Sequence, residues 1–443
     1  MPRKTAEINN LDYWLSYIGS VHLNEIELGL ERVQAVYSRM NLKRLAKKII
    51  VVAGTNGKGS CVAAMESILL ESGYAVASYT SPHIKSFSER IKLFGIEIEE
   101  EELCHSFKMV DVARSEISLS YFEFTTLAAL YIFSQKELDF ALLEVGLGGR
   151  LDAVNIIDAD VTVISSIAMD HEDWLGNDLE SIALEKAGIL RQGVPLIYGD
   201  YNPLEVILKK SEKLKVPLFL AGREVTWEEN AKRLDWKWVG TFGDKKVEIN
   251  NLQTPNLAIS NVSLAIQALF TLGLEFDHNI VNSALNTFIL PGRYEKRTDK
   301  HTGISVILDV AHNPASANFL MSNLAKEMLE DNNLIQISAV IAVMADKDIE
   351  GIIMALEPSV DGWYVSQFAG SRCKAAADLA CEIETNSDQK IKNIDKSMTV
   401  SYRQACSDAA AYELANPNNG AIVLVTGSFQ TVAAVRELSV KRK

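Results

Sequence analysis

Short, mainly apolar runs alternate along this chain with segments whose apolar residues recur every three or four positions. Ile49–Val52, Phe140–Val145, Val161–Ile167, Pro195–Tyr198, Val306–Val310, Ile337–Val343 and Ile422–Thr426 have strand length and lack a strict in–out alternation. Such runs suit strands buried on both faces. Helical spacing appears between them, in Cys61, Met65, Ile68 and Leu69, in Leu179–Leu190, in Ala315–Met328 and in Val432–Leu438. Strands of this kind separated by helices predict mostly parallel sheets, in two α/β domains with functional loops at the carboxyl ends of the strands. Pro291 and Gly292 interrupt a helical pattern in Leu290-Pro291-Gly292-Arg293, and a second series of strands follows. The predicted boundary therefore separates domains 1–290 and 291–443. Glu224–Val247, with Trp227, Trp236 and Trp238, reads as a β-rich insertion or meander.

The run Ile49–Val52 leads into Ala53-Gly54-Thr55-Asn56-Gly57-Lys58-Gly59-Ser60, and a helical pattern starts directly afterwards. A strand, a glycine-rich turn and a helix N-terminus together make a phosphate-binding loop. Glycines let backbone N–H groups converge on phosphate oxygens, and the helix adds the positive end of its dipole. Lys58 would reach the terminal phosphates while a nearby hydroxyl faces a magnesium ion. The spacing departs from GxxxxGK[ST]: Val52 occupies the first glycine position, and Gly59 is inserted between Lys58 and Ser60.

Other polar residues stand where apolar runs end. Glu144 closes Ala141-Leu142-Leu143 and precedes Val145-Gly146-Leu147-Gly148-Gly149-Arg150. A buried carboxylate is costly unless paired or bound to metal, so Glu144 is a magnesium-ligand candidate if its strand neighbours the glycine loop. Asp170-His171 follows the run Val161–Ile167 in the same way. Ser81-Pro82-His83 reads on its own as a turn with a capping serine, and Glu185-Lys186 as a solvated charge pair on a helix. In the second domain, Asp309-Val310-Ala311-His312-Asn313-Pro314 and Thr426-Gly427-Ser428 end strands. They suit either a ligand site or helix caps at Asn313 and Ser428.

Composition narrows the function classes. A chain of 443 residues exceeds one ordinary core, and 48% hydrophobic with 23% charged residues is globular composition. A net charge of −14 opposes non-specific binding to nucleic acid or anionic membrane, though not to small anions held by local charge. No run of 18 apolar residues and no secretory leader is seen, and the five cysteines include no CxxC pair. These features predict a cytoplasmic protein without membrane association, a disulfide framework or a structural zinc site.

Together the motifs resemble the Mur ligase superfamily, and within it the folylpolyglutamate synthase and dihydrofolate synthase family. The resemblance runs from Leu11-Asp12-Tyr13-Trp14-Leu15 to Thr426-Gly427-Ser428. Its most specific parts are Gly54–Ser60, Thr80-Ser81-Pro82-His83, Asp170–Gly176 with Glu185-Lys186-Ala187-Gly188, and Asp309–Pro314. The inserted Gly59 is a feature of that family. The resemblance implies a P-loop-containing, Mur-ligase-like ATP-binding domain and a smaller Rossmann-like, glutamate-binding C-terminal α/β domain. It implies that Ser81, Glu144, His171 and Lys186 hold Mg2+, Lys186 as a carbamate. It further implies that Gly54, Thr55, Asn56, Gly57, Lys58, Gly59, Ser60, Asn261, Arg293 and Asp309 bind ATP. By the same resemblance Lys58, Lys186 and His171 are the catalytic set, Ser120, Tyr121, Phe122 and Glu123 contact the pteroate substrate, and Leu151 is a further substrate-binding position. His312 and Ser428 correspond to glutamate-binding residues, and Gly148-Gly149-Arg150-Leu151-Asp152-Ala153 resembles members that also make dihydrofolate.

The implied reaction is ATP-dependent joining of L-glutamate to dihydropteroate and to folates through an acyl phosphate, by a monomer. A Mur-type ligase of peptidoglycan precursors and a nucleotide-dependent switch are the competing expectations.

Overall fold

The apolar run before the glycine loop becomes β1 (Lys48–Ala53), flanked on both sides by parallel strands that bury it. The computed structural model describes residues 10–22, 27–230, 235–255, 257–286, 290–331, 334–370 and 372–441. The chain divides into two units, Met1–Phe288 and Ile289–Lys443. In the first, β1 joins β2 (Val76–Tyr79), β3 (Ile91–Leu93), β4 (Ile96–Glu97), β5 (Phe140–Glu144), β6 (Val161–Ile164), β7 (Leu196–Tyr198) and β8 (Leu218–Leu220). The sheet order is β4-β3-β2-β5-β1-β6-β7-β8, parallel from β2 to β8 with an antiparallel edge at β3 and β4. Its helices are α1 (Leu11–Val21), α2 (Glu31–Met40), α3 (Lys58–Glu71), α4 (Glu100–Arg114), α5 (Tyr121–Ser134), α6 (Glu172–Leu175), α7 (Leu179–Lys186) and α8 (Glu205–Lys213).

From β1 the chain passes through α3 to β2 on one side of β1, whereas β6 lies on the other side. That reversal leaves a crevice at the carboxyl ends of β5, β1 and β6, where open α/β sheets bind ligands. Val52 stands opposite Glu144 in the register, so the candidate carboxylate and the glycine loop leave the sheet side by side.

The tryptophan-rich segment is antiparallel, as its composition suggests: β9 (Val225–Asn230), β10 (Asp235–Phe242) and β11 (Lys245–Gln253), in order β11-β10-β9. Residues 231–234 of that predicted segment lie outside the described residues. Trp236 and Trp238 are buried, and their ring N–H groups donate to Gln253 O (3.0 Å) and Ser263 O (3.1 Å). After it come α9 (Ile259–Thr271) and α10 (His278–Asn286), both packed on α3.

The second unit holds β12 (Glu295–Asp299), β13 (Ser305–Leu308), β14 (Ile335–Ile341), β15 (Gly362–Val365), β16 (Ile391–Ile394), β17 (Gly420–Thr426) and β18 (Ser439–Lys441). Their order is β16-β15-β14-β17-β13-β12-β18, parallel except for β12, which runs against both neighbours. The helices are α11 (Pro314–Asp331), α12 (Ile349–Leu356), α13 (Ala376–Asn386), α14 (Met398–Ala415) and α15 (Phe429–Arg436).

Of the expected elements that end early, three do so for visible reasons. The Val161–Ile167 strand stops at Ile164 because Ser165 and Ser166 turn their hydroxyls to the glycine loop. The Val306–Val310 strand stops at Leu308, and the Asp309 carboxylate collects the N–H groups of Tyr294 (2.8 Å) and Ala311 (2.8 Å). The Leu179–Leu190 helix gives way after Lys186 to a 3-10 turn, Ala187–Ile189. Among the described residues no helix is long and apolar enough to cross a membrane.

Candidate active site

Two glycines shape the loop after β1. Gly54 has φ 145° and Gly57 φ 87°, and both also lack room for a side chain. A Cβ on Gly54 would fall 2.0 Å from Ser165 Oγ, and one on Gly57 2.4 Å from Asn261 Oδ1. Asn261, on α9 and about two hundred positions away, is thereby placed against the loop. The end of β6 braces the other side. Thr55 N–H donates to Ser166 O (2.7 Å), while the Ser165 and Ser166 hydroxyls donate to Asn56 O at 2.7 and 3.1 Å. No side chain caps the amides of α3, which begins at Lys58. Its N-terminus can therefore accept an anion.

Lys58 Nζ folds back over this turn and donates to Gly54 O (3.0 Å) and Thr55 O (3.1 Å). Lys186 Nζ reaches the same Gly54 carbonyl at 3.0 Å. The solvated-pair reading of Glu185-Lys186 is therefore corrected: Lys186 is 3% exposed, and Glu185 pairs with Arg150 (2.8 Å). Helix spacing alone could not show that the end of α7 turns in beneath the glycine loop. Burial first, and the Lys58 ammonium second, pull the Lys186 ammonium down to about 7, with Asp170 opposing. Burial thus favours the uncharged, nucleophilic form of this amine.

Glu144 is 4% exposed and accepts the Ser81 N–H (3.1 Å). Its Oε2 lies 3.5 Å from where a Gly59 Cβ would stand, at the first turn of α3. A buried carboxylate beside an uncapped helix N-terminus suits a hard cation shared with the oxygens of an anion. His171 begins α6 in a left-handed conformation (φ 54°), with its Nε2 3.9 Å from Asp170 Oδ2. Among the described residues no three His, Cys, Asp or Glu side chains gather as a ready cation site. The set Ser81, Glu144, His171 and Lys186 includes a hydroxyl and an amine, so its donor chemistry fits magnesium once the amine becomes an anionic oxygen donor. His83, the last residue of the Ser81-Pro82-His83 turn, accepts from Arg90 Nε (2.9 Å), and burial with that guanidinium lowers it to about 4.

The pteroate candidates divide by role. Ser120 and Glu123 form the capping box that starts α5, and buried Glu123 also takes Arg32 at 3.0 Å. Their hydrogen bonds position the segment. Phe122 and Tyr121 provide its aromatic surface: the Phe122 ring lies where a Cβ on Gly146 would be 2.4 Å away, and Tyr121 packs against Phe87. Leu151 sits on the same 146–155 loop, half-buried. Within that loop Asp152 accepts the Leu147 (2.8 Å) and Val154 (3.0 Å) N–H groups, and burial pushes its carboxyl up to about 6.

In the second unit, Arg293 follows Gly292 (φ 66°) and its guanidinium stands 5.0 Å from the Phe429 ring centroid. His312 Nδ1 lies 2.8 Å from Val310 O, and its ring is 6.1 Å from the same Phe429. Asp309 is half-buried, and the loss of water around its carboxyl raises its pKa. Ser428 caps α15, accepting the Thr431 N–H (3.0 Å), and Asn313 accepts the Ser316 N–H (2.9 Å). The capping reading thus holds for both, alongside any part in ligand binding.

The Mur ligase glutamate ligase domain family matches residues 292–429. The Escherichia coli (strain K12) dihydrofolate synthase/folylpolyglutamate synthase is 40% identical over 425 residues, spanning 96% of this chain and 94% of that one. The chain belongs to the dihydrofolate synthase/folylpolyglutamate synthase family.

Solved structures of the family agree over nearly the whole length. An Escherichia coli FolC in complex with DHPP and ADP superposes with TM-score 0.87 at 38% identity, covering 98% of each chain. A bifunctional folylpolyglutamate synthase/dihydrofolate synthase with Mn, AMPPNP and L-glutamate bound gives 0.84 at 37%, covering 98% of this chain and 99% of that one. Like these relatives, the chain is a two-domain, Mur-ligase-like α/β protein. Reading the sequence passed over Ser165 and Ser166, whose hydroxyls hold the glycine loop, and Phe429, which carries Arg293. Two hydroxyls directly after an apolar run were a usable signal for the first pair. Nothing local marked Phe429.

Proposed function

We propose that this chain joins L-glutamate to dihydropteroate and to folate mono- and polyglutamates at the cost of ATP, as a cytoplasmic monomer. The observation that carries the reading is the meeting of Lys58 and Lys186 on Gly54 O, with Glu144 beside the open N-terminus of α3. That is a phosphoryl-transfer site with a cation place and a modifiable amine, in a chain whose family is named for this ligation. The first unit is proposed as the ATP-binding ligase domain and the second as the glutamate-binding domain.

In this reading Gly54, Thr55, Asn56, Gly57, Gly59 and Ser60 wrap the ATP phosphates, Asn261, Arg293 and Asp309 complete nucleotide binding, and Lys58 swings from Gly54 O to the γ-phosphate. Ser81, Glu144, His171 and the Lys186 carbamate hold Mg2+, which supplies charge neutralisation on the phosphates. The neutral Lys186 amine adds carbon dioxide and loses a proton to become that carbamate. Phe122, Tyr121 and Leu151 seat the pteroate rings, with Ser120 and Glu123 fixing the segment. The pteroate carboxylate attacks the γ-phosphorus and ADP leaves. The glutamate amine, held through His312 and Ser428, then attacks the acyl carbon, and phosphate departs. Lys58 and the loop amides stabilise the transferring charge by position and electrostatics.

The test supplies purified protein with ATP, Mg2+ and L-glutamate, and either dihydropteroate or a reduced folate monoglutamate. Glutamylated product by mass spectrometry is expected from both acceptors. Product from the folate alone removes the dihydrofolate synthase half. Product only from a UDP-linked peptidoglycan precursor makes the chain a Mur-type ligase, and nucleotide binding without amide product makes it a switch.

A further inference from the structure

Between β2 and β3 the chain passes through Ser81-Pro82-His83 and a 3-10 turn, Phe87–Arg90. The Glu89 carboxylate is committed inside that stretch, where it accepts the N–H groups of Ile84 (2.8 Å), Lys85 (2.8 Å) and Ser86 (2.9 Å). Arg90, next in the chain and half-buried, faces no carboxylate among the described residues. Its carbonyl accepts the Thr80 N–H (2.8 Å), and its Nε donates to His83 Nδ1 (2.9 Å). The guanidinium stands 5.2 Å from the Phe87 ring centroid and 5.8 Å from that of Tyr121. Among the described residues its two Nη atoms meet no protein acceptor. The arginines that serve the acceptor segment and the 146–155 loop are already paired, Arg32 with Glu27 and Glu123, and Arg150 with Glu185.

We infer that Arg90 is a specificity residue that takes the α-carboxylate of a glutamate-ended acceptor, a group that folates carry and dihydropteroate lacks. The inference deepens the proposed function and rests on it. Tyr121 belongs to the aromatic segment proposed for the pteroate rings, and the turn from His83 back to Ser81 reaches Glu144 through the Ser81 N–H (3.1 Å). Arg90 thus touches both the ring-binding surface and the turn that leads to the phosphoryl-transfer site. The terminal glutamate of a folate acceptor has to bridge those two places, because its γ-carboxylate meets the γ-phosphate while the rest of the molecule trails toward the rings. Its α-carboxylate, a few bonds from the reacting group, then needs a cation of its own. A guanidinium supplies two parallel N–H···O bonds to such a group. With Nε held on His83 and two aromatic rings beside it, the fork is fixed in advance, so little side-chain freedom is lost on binding. In dihydropteroate the reacting carboxylate is joined directly to the ring and no second one exists, so that acceptor makes no use of the fork.

The experiment compares three acceptors on the wild type, Arg90→Gln and Arg90→Lys: dihydropteroate, a reduced folate monoglutamate, and the same folate with its α-carboxyl converted to a carboxamide. The amide keeps the size of the acid and its reacting γ-carboxylate while removing the α charge. KM and kcat for each acceptor are read from product formation at saturating ATP, Mg2+ and L-glutamate. In the wild type the amide should show a KM about tenfold or more above that of the acid. Arg90→Gln should raise the KM of the acid by a similar factor. Acid and amide should then differ by less than about threefold, since the group that distinguished them is gone. Arg90→Lys, which keeps the charge without the fork, should fall between the two. The loss of kcat/KM in Arg90→Gln should be about tenfold larger with the acid than with dihydropteroate.

Equal use of acid and amide by the wild type overturns the inference. So does an Arg90→Gln variant that keeps the wild-type preference for the acid, or one that loses all three acceptors to the same degree, which would make Arg90 a support for Tyr121. If Arg90→Gln fails to fold, the wild-type comparison and Arg90→Lys decide by the same criterion. A wild type that glutamylates no folate removes the folate half of the proposed function and this inference with it. Folate ligation indifferent to the α-carboxylate removes the inference alone.

Discussion

Replacing Lys186 by methionine should make this protein's stability less dependent on pH between about pH 7 and about pH 9. The amine is held near 7 in the folded chain and lies at 10.5 in its ordinary state, a gap of about 3.5 units. At about 1.4 kcal/mol per unit, burying the amine opposes folding by about 5 kcal/mol below pH 7. Between the two values the unfolded chain binds the extra proton, so stability rises with pH. Between about pH 7 and about pH 9 the wild type should gain about 2 kcal/mol that Lys186→Met, with nothing to titrate, does not gain. The bond to Gly54 O lost in the variant is worth only about 1 kcal/mol, so Lys186→Met should also be the more stable protein at neutral pH. Urea unfolding of both proteins, in bicarbonate-free buffer at several pH values, measures the difference. Parallel pH curves, or a variant less stable at every pH, would refute the burial argument. Ligase activity should disappear in Lys186→Met whichever way the stability falls.

Lys58→Ala should fold normally and lose turnover by several orders of magnitude, since it removes charge stabilisation of the transferring phosphoryl group; near-normal turnover would exclude the assigned role. Gly57→Ala combines a φ of 87° with a contact 2.4 Å from Asn261 Oδ1, so ADP affinity by calorimetry should drop at least about tenfold; unchanged affinity would mean the loop does not hold phosphate. Asp152 works in the opposite sense to Lys186. Its carboxyl rises from 3.8 to about 6 in the fold, so the folded chain binds the extra proton and stability falls as pH climbs between those values, by about 3 kcal/mol. Asp152→Asn should flatten that part of the pH–stability curve, and an unchanged slope would place the titration on another group.

The parallel architecture was legible because strands buried on both faces must be apolar throughout, whatever they pack against. β1, β5, β6, β14 and β17 consequently appear where continuous apolar runs stand in the chain. The glycine loop was legible because its requirement is local: a turn this tight needs positive φ and close approach, which only glycine supplies together. Glu144 was legible too, as an ionisable group at the end of an apolar run.

Lys186 shows where local reading stops. On α7 it has the look of any charged helix residue, and its burial comes from β1, the 146–155 loop and the turn after α7 arriving at one point. Ser120 and Glu123 could equally have faced a ligand or capped a helix, and only the hydrogen bonds to their own segment and to Arg32 distinguish the two. Nothing beside Asn261 in the chain marks its contact with Gly57, which the packing of α9 on α3 makes. Periodicity records which face of an element meets a core, a property of neighbours along the chain. Which polar groups share a carbonyl, and what that does to their protons, depends on contacts between residues a hundred or more positions apart, and those were decided by the tertiary structure.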